Sequence, residues 1–298
     1  MNVDLLYNIH LQETFGIYIA IYFYLTGLSA GSFIMSTLAY GFGLTQFKPL
    51  GKIGVVLATL LLVAAPMFLL LHVGQPLKTW HLFTYINLTS PISWGSFLLT
   101  LYPINCVVYG FFMFKGNMKL TKIFGLIGIP LAIMVHGYTG FILALAKARA
   151  LWNTALMPIL FLVSAMVSGI AMMILVCYIR DRFFTKEKTI NTSLLYSLGT
   201  ILAGMIVFDL FLVLSDILVL LTAHTEAKEA ADLLLYRNFS PFFIFIENLF
   251  GKIIPLTIIV TPRFRSVRGL IIAAILVMIG IFFMRYVVVL GGEFIPLV

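Results

Sequence analysis

Eight long apolar segments, most of them free of charge, restrict this chain to one class of structure. They fall at residues 15–43, 53–73, 92–114, 123–146, 155–179, 193–222, 242–260 and 268–290. A helix of about 20 apolar residues crosses the roughly 30 Å hydrocarbon layer of a bilayer. In that layer only helices and closed barrels satisfy their own backbone, and these segments lack the alternation of barrel strands. With 62% hydrophobic and 10% charged residues, the chain carries more apolar surface than a soluble core of 298 residues could cover. The expected fold is all-α: a polytopic membrane protein with eight transmembrane helices and short connections.

The net charge of +8 is spread over loops rather than gathered in a patch, which argues against a nucleic-acid partner and for an orientation signal. Loops on one side hold Lys48, Lys52, Lys115, Lys119, Lys122, Arg180, Arg182, Lys186, Lys188, Arg263, Arg265 and Arg268, 12 of the 19 basic residues. The other side holds Lys78, Lys147, Arg149, Lys228 and Arg237. The positive-inside bias places the first group in the cytoplasm and both termini on the outer, periplasmic side. Asp4 and Glu13 stand where a cleavable signal would carry basic residues, so none is expected. Membrane lipid is the one surrounding this composition requires.

A weak internal repeat divides the chain. Phe23-Tyr-Leu-Thr-Gly-Leu-Ser-Ala-Gly31 aligns with Phe161-Leu-Val-Ser-Ala-Met-Val-Ser-Gly169, and Asn87-Leu-Thr-Ser-Pro91 with Asn238-Phe-Ser-Pro241. The repeats are four spans apart and therefore parallel. Two four-helix bundles are expected, over residues 1–146 and 147–298. Pro66, Pro103, Pro130 and Pro255 each remove a backbone hydrogen bond within a span and should kink it.

Charge is costly inside a membrane, so ionisable residues within spans are candidates for function. They are Asp209, Asp216, Glu247, Lys252, Arg285 and His136, with His72 at a span end. Given the orientation, these groups and the phenols Tyr22 and Tyr138 collect in the outer half, as a pocket for a membrane-dissolved ligand requires. The plainer reading is structural: buried ion pairs, for instance Arg285 with Glu247 or Asp216. A bis-histidine haem needs paired histidines at matching depth. His10, His81 and His224 lie in or beside outer loops, leaving His136 alone inside. Two cysteines, Cys106 and Cys177, fall short of the four thiolates of an iron–sulfur cluster and read as packing residues. A secondary transporter without redox partners is the competing class, but it favours inverted repeats and helices broken at the midplane.

Several stretches in order along the chain resemble the polysulfide reductase membrane-subunit (NrfD-like) family. These are Gly27-Leu-Ser-Ala-Gly31, His72-Val-Gly-Gln-Pro-Leu-Lys-Thr-Trp80, Asn87 through Gly95, Gly137-Tyr-Thr-Gly140, Ala150-Leu-Trp-Asn153, Leu156-Met-Pro158, Ser164 to Gly169, and Arg285-Tyr-Val-Val-Val-Leu-Gly-Gly292. The resemblance implies a quinone-reactive membrane subunit without a catalytic centre, haem or iron–sulfur cluster of its own. It would exchange electrons between a quinone, menaquinone by preference, and a ferredoxin-like iron–sulfur subunit. A molybdopterin catalytic subunit or a multihaem cytochrome would complete the complex in a bacterial or archaeal cytoplasmic membrane. Tyr138 matches the family's quinone-binding tyrosine. Tyr22 occupies the place of the family's span 1 ring contact, a histidine in some members, His136 is a further candidate contact, and Trp94 stands either in the pocket wall or in an interfacial aromatic belt. His72 and Gln75 replace the aspartate and arginine of the family's Asp-Leu-Gly-Arg-Pro stretch. Asp209, Asp216, Glu247 and Arg285 are candidates for a proton path or its charge balance.

Overall fold

The computed structural model describes residues 15–184 and 191–295; Asp4, His10, Glu13, Lys186 and Lys188 lie outside the described residues. Every regular element among the described residues is helical. Eight helices are long and apolar enough to cross a membrane: Ile17–Tyr40, Thr45–His72, Pro91–Lys115, Met118–Ala144, Met157–Phe184, Thr192–Thr222, Pro241–Val260 and Val267–Phe294, here spans 1 to 8. The chain is a multi-pass membrane protein.

Two spans begin earlier than hydropathy suggests. Span 2 is helical from Lys48 and span 4 from Met118, so lysines 48, 52, 119 and 122 sit on their first turns. A lysine there can lay its stem along the helix and keep its ammonium in the headgroup layer, so charge does not end the helix. Spans 3 and 4 join through two residues. Gly116, at φ 79°, closes span 3 in the left-handed conformation. Asn117 then caps span 4 by accepting from Leu120 N–H at 3.2 Å. Pro66, Pro103 and Pro130 remain inside continuous helices. Span 7 is π-helical over Pro241–Ile253 and becomes α-helical over Ile254–Val260. The loop between spans 6 and 7 holds a further helix, Thr225–Leu235, which buries Ala227, Ala230, Ala231, Leu233 and Leu234.

Spans 1 and 5 form the centre. Span 1 packs against spans 2, 4, 5 and 8, and span 5 against spans 6, 8, 1 and 4. Exchanging each span for the one four places on maps these contacts onto each other; a smaller contact of span 5 with span 2 breaks the correspondence. The aligned repeat residues meet themselves across this centre. The rings of Phe23 and Phe161 are 5.5 Å apart, edge to face. Gly31 and Gly169 touch through their backbones, and a β-carbon on either would strike the other helix. Such small-residue crossings let apolar helices approach closely enough to gain dispersion energy where no hydrophobic force acts between them.

Both ends of the described chain lie on one face. Phe15 N–H donates to Glu293 Oε1 at 3.3 Å, and Arg149 of the span 4–5 loop donates to the Glu293 and Ile295 carbonyls at 3.1 and 2.6 Å. This is the terminal face. The loops rich in lysine and arginine form the opposite, basic face.

Candidate functional site

Four groups of polar side chains sit between the spans. The first centres on Arg285 of span 8, which is 1% exposed. Its Nη2 donates to Ser164 Oγ at 2.7 Å and to the Phe161 carbonyl at 3.0 Å. Its guanidinium carbon stands 3.8 Å from the centre of the Phe161 ring, a cation–π contact. The Phe161 carbonyl also lies 2.8 Å from Nε2 of His136 on span 4. The carbonyl can only accept, which calls for a proton on Nε2, whereas Arg285 Nη2, 3.2 Å from the same nitrogen, can only donate and calls for the proton on Nδ1. His136 fits here because position 27 on span 1 is glycine; a β-carbon there would come within 3.0 Å of the imidazole. Arg285 Nε and Nη1 and His136 Nδ1 are buried without a hydrogen-bond partner among the described residues. Such groups are costly to leave dry, about 1–3 kcal/mol each.

The second group lies between spans 6 and 7. Lys252 Nζ is 2.7 Å from Asp209 Oδ2 and 2.9 Å from Glu247 Oε1, with all three side chains buried. The π-helical backbone of span 7 makes the second contact possible. On an α-helix, residues five apart point about 140° away from each other. The wider turn of a helix with i→i+5 hydrogen bonds narrows that angle and brings the two side chains within reach. Asn248 follows the same spacing, donating to the Phe243 carbonyl at 2.8 Å. The sequence offered Arg285 as an ion-pair partner for Glu247 or Asp216; Glu247 is instead paired with Lys252. Arg285 stays within Coulombic reach of Asp209 and Glu247. Two cations and two carboxylates thus balance within this group, and Asp216 is a third buried acid beside it.

The third group is a small cavity of about 30 Å³, room for a water or two. Asp216 and Glu247 supply its charged walls, and Leu160, Val213, Met284 and Val287 are among its apolar ones. It lies on the terminal side of the ion triad and links Asp216 to that triad.

The fourth group is aromatic. Tyr138 of span 4 is half-buried, and its phenol lies against Gly95 of span 3, where any β-carbon would collide with it. Tyr22 of span 1, 3% exposed, is its electrostatic neighbour, and the Tyr22 ring packs on Phe23 at 5.4 Å. Through Phe23 and Phe161 the tyrosines adjoin the Arg285 group. Trp94 is 53% exposed, with its indole N–H donated to the Leu88 carbonyl at 2.8 Å. That bond pins the span 2–3 loop. His72 is half-buried at the terminal end of span 2, its ring edge-on to Phe15 at 5.9 Å.

Comparison with known proteins fits this arrangement. Residues 8–296 match the family described as "Polysulphide reductase, NrfD". The chain belongs to that family. It is 31% identical to a selenate reductase subunit of Mesobacillus selenatarsenatis, over 95% of this chain and 75% of that protein. To the Hdr-like menaquinol oxidoreductase integral membrane subunit of Archaeoglobus fulgidus it is 29% identical, over 92% and 69%. To the menaquinone reductase integral membrane subunit of Nitratidesulfovibrio vulgaris it is 24% identical, over 95% and 73%. As an NrfD-family protein with eight membrane-crossing helices, it resides in the prokaryotic inner membrane.

Within the NrfD fold, four residues that sequence reasoning did not select as site residues close the terminal face. Trp152 Nε1–H donates to the Val288 carbonyl at 2.6 Å, and its indole occupies the space that a β-carbon on Gly292 would fill. Phe15 stacks on Trp152 at 5.7 Å, and Arg149 reaches Glu293 at 3.4 Å. The signal available was the Ala150–Asn153 stretch opposite the final Gly291-Gly292 pair, which share the NrfD resemblance.

Proposed function

We propose that this protein is the quinone-reactive membrane subunit of a respiratory oxidoreductase, exchanging electrons between menaquinone and an iron–sulfur partner docked on the terminal, outer face. The observation that carries the reading is the Tyr138 phenol, half-buried against Gly95 and beside Tyr22, within a family whose relatives include proteins named for menaquinol and menaquinone. A quinone carbonyl needs hydrogen-bond donors at the edge of the apolar layer, and two phenols meet that need. Quinone supplies the two-electron chemistry. Tyr138 and Tyr22 orient the ring, and His136 lies behind them. His72 stands at the terminal edge, and Trp94 holds the span 2–3 loop on the same face.

Each two-electron step moves two protons, and the buried acids supply a route for them. Asp216 opens on the small cavity, Glu247 lines its far side, and Lys252 joins Glu247 to Asp209. Arg285 balances their charge. The partner expected on this chemistry is a ferredoxin-like subunit, with a molybdopterin subunit or a multihaem cytochrome beyond it. The self-facing pairs at the centre support a duplication in which residues 1–146 and 147–298 are the two halves.

In the assembled complex, Tyr138→Phe should lower quinone-linked turnover by about a hundredfold or more while leaving the complex intact. Full turnover would remove Tyr138 from the site. Asp209→Asn should reduce proton uptake per electron; an unchanged ratio would take Asp209 out of any proton route.

A further inference from the structure

On the basic face, far from the tyrosines, spans 1, 2, 3 and 5 leave an open groove of about 780 Å³. Its rim carries Lys48, Lys52 and Arg180, and its wall descends through Val56 and Leu60 of span 2, with Phe114 of span 3 opposite. Lys48 is the first residue of the span 2 helix, so the N-terminal dipole adds to its charge. Lys52 follows one turn later on the same side and stands 5.5 Å from the Phe114 ring centre. None of the three cations is ion-paired to a carboxylate among the described residues. Val56 and Leu60 are 44% and 64% exposed along the trough below them.

A soluble anion would use the rim and leave the trough bare. An uncharged lipid would use the trough and leave three cations without a counter-charge. An anionic lipid satisfies both, with its phosphate in the headgroup layer and its chain against the apolar wall. We propose that this groove is a binding site for an anionic diacyl phospholipid, its phosphate held by Lys48, Lys52 and Arg180 and one acyl chain lying along Val56 and Leu60.

The test uses the purified complex in phosphatidylcholine nanodiscs with and without phosphatidylglycerol, measuring by mass spectrometry the lipid that stays with the protein. Phosphatidylglycerol should be enriched over its share of the bulk. Lys48→Gln, Lys52→Gln and Arg180→Gln should each lower that enrichment about fivefold, and together abolish it. Lys52→Arg should retain it, which separates charge from damage to the fold. Val56→Trp should lower enrichment by filling the trough with the charges intact. Absence of enrichment, or enrichment indifferent to the three charges, overturns the proposal. So does displacement of the lipid by inorganic phosphate with Val56→Trp silent, which would mark a soluble-anion site, or a protein partner retained on the groove in place of lipid.

Discussion

The two halves of the chain bury polar groups in opposite ways. In spans 1 to 4 the bonds between those helices are made by neutral groups. Ser29 Oγ donates to the Ala58 carbonyl at 2.8 Å and Ser36 Oγ to the Gly51 carbonyl at 2.6 Å. Tyr109 donates to the Ser36 carbonyl at 3.2 Å and Asn105 to that of Phe124 at 3.2 Å. In spans 5 to 8 the interior holds Asp209, Asp216, Glu247, Lys252 and Arg285. A neutral hydrogen bond contributes about 1 kcal/mol net. Removing an ion from water costs several, offset only by close partners. Hydroxyls and small residues therefore suffice to hold four helices together, and the charges of the second half are not needed for packing. Their placement fits the proposed proton route.

Substitutions can break that comparison, beginning with the charges. Lys252→Met leaves Asp209 and Glu247 facing each other without the cation that bonds them both. It should destabilise the protein by about 3–5 kcal/mol, seen as a lower unfolding midpoint in detergent. Adding Asp209→Asn and Glu247→Gln to Lys252→Met should restore most of that stability but not proton coupling. If Lys252→Met alone were harmless, the triad would not be the charged core of the second half.

Next in size is Gly169→Val at the central crossing. The new side chain meets the backbone of Gly31 and must push spans 1 and 5 apart, at a cost of about 1–3 kcal/mol or more. The smallest effect belongs to the first half. Ser29→Ala should cost about 1 kcal/mol by chemical unfolding, with electron transfer unchanged. A loss of turnover there would mean that the bond between spans 1 and 2 also positions the proposed quinone site.

Much of this was legible in the sequence. The eight spans, the shared face of the termini and the list of buried ionisable residues follow from local hydropathy and from charge placement. The ends of spans 2 and 4 were less so, because lysines 48, 52, 119 and 122 look like loop residues until their stems are seen as part of a helix. Glu247 and Lys252 were visible as an acid and a base in one span, but no α-helical pattern pairs residues five apart. The π-helical backbone of span 7, which brings them within reach of each other, is seen only in the folded chain. Trp152 and Glu293 gave no signal of charge inside a span, since their role is to close the terminal face.

What the sequence determined alone is the solvent of each segment, because the cost of placing a residue in hydrocarbon depends on that residue and its near neighbours. Which groups meet was decided only by the tertiary structure. Pairing depends on the rotation and depth of each helix against the others, and those are set by contacts between residues far apart in the chain, such as Gly31 on Gly169 and Arg285 on Ser164.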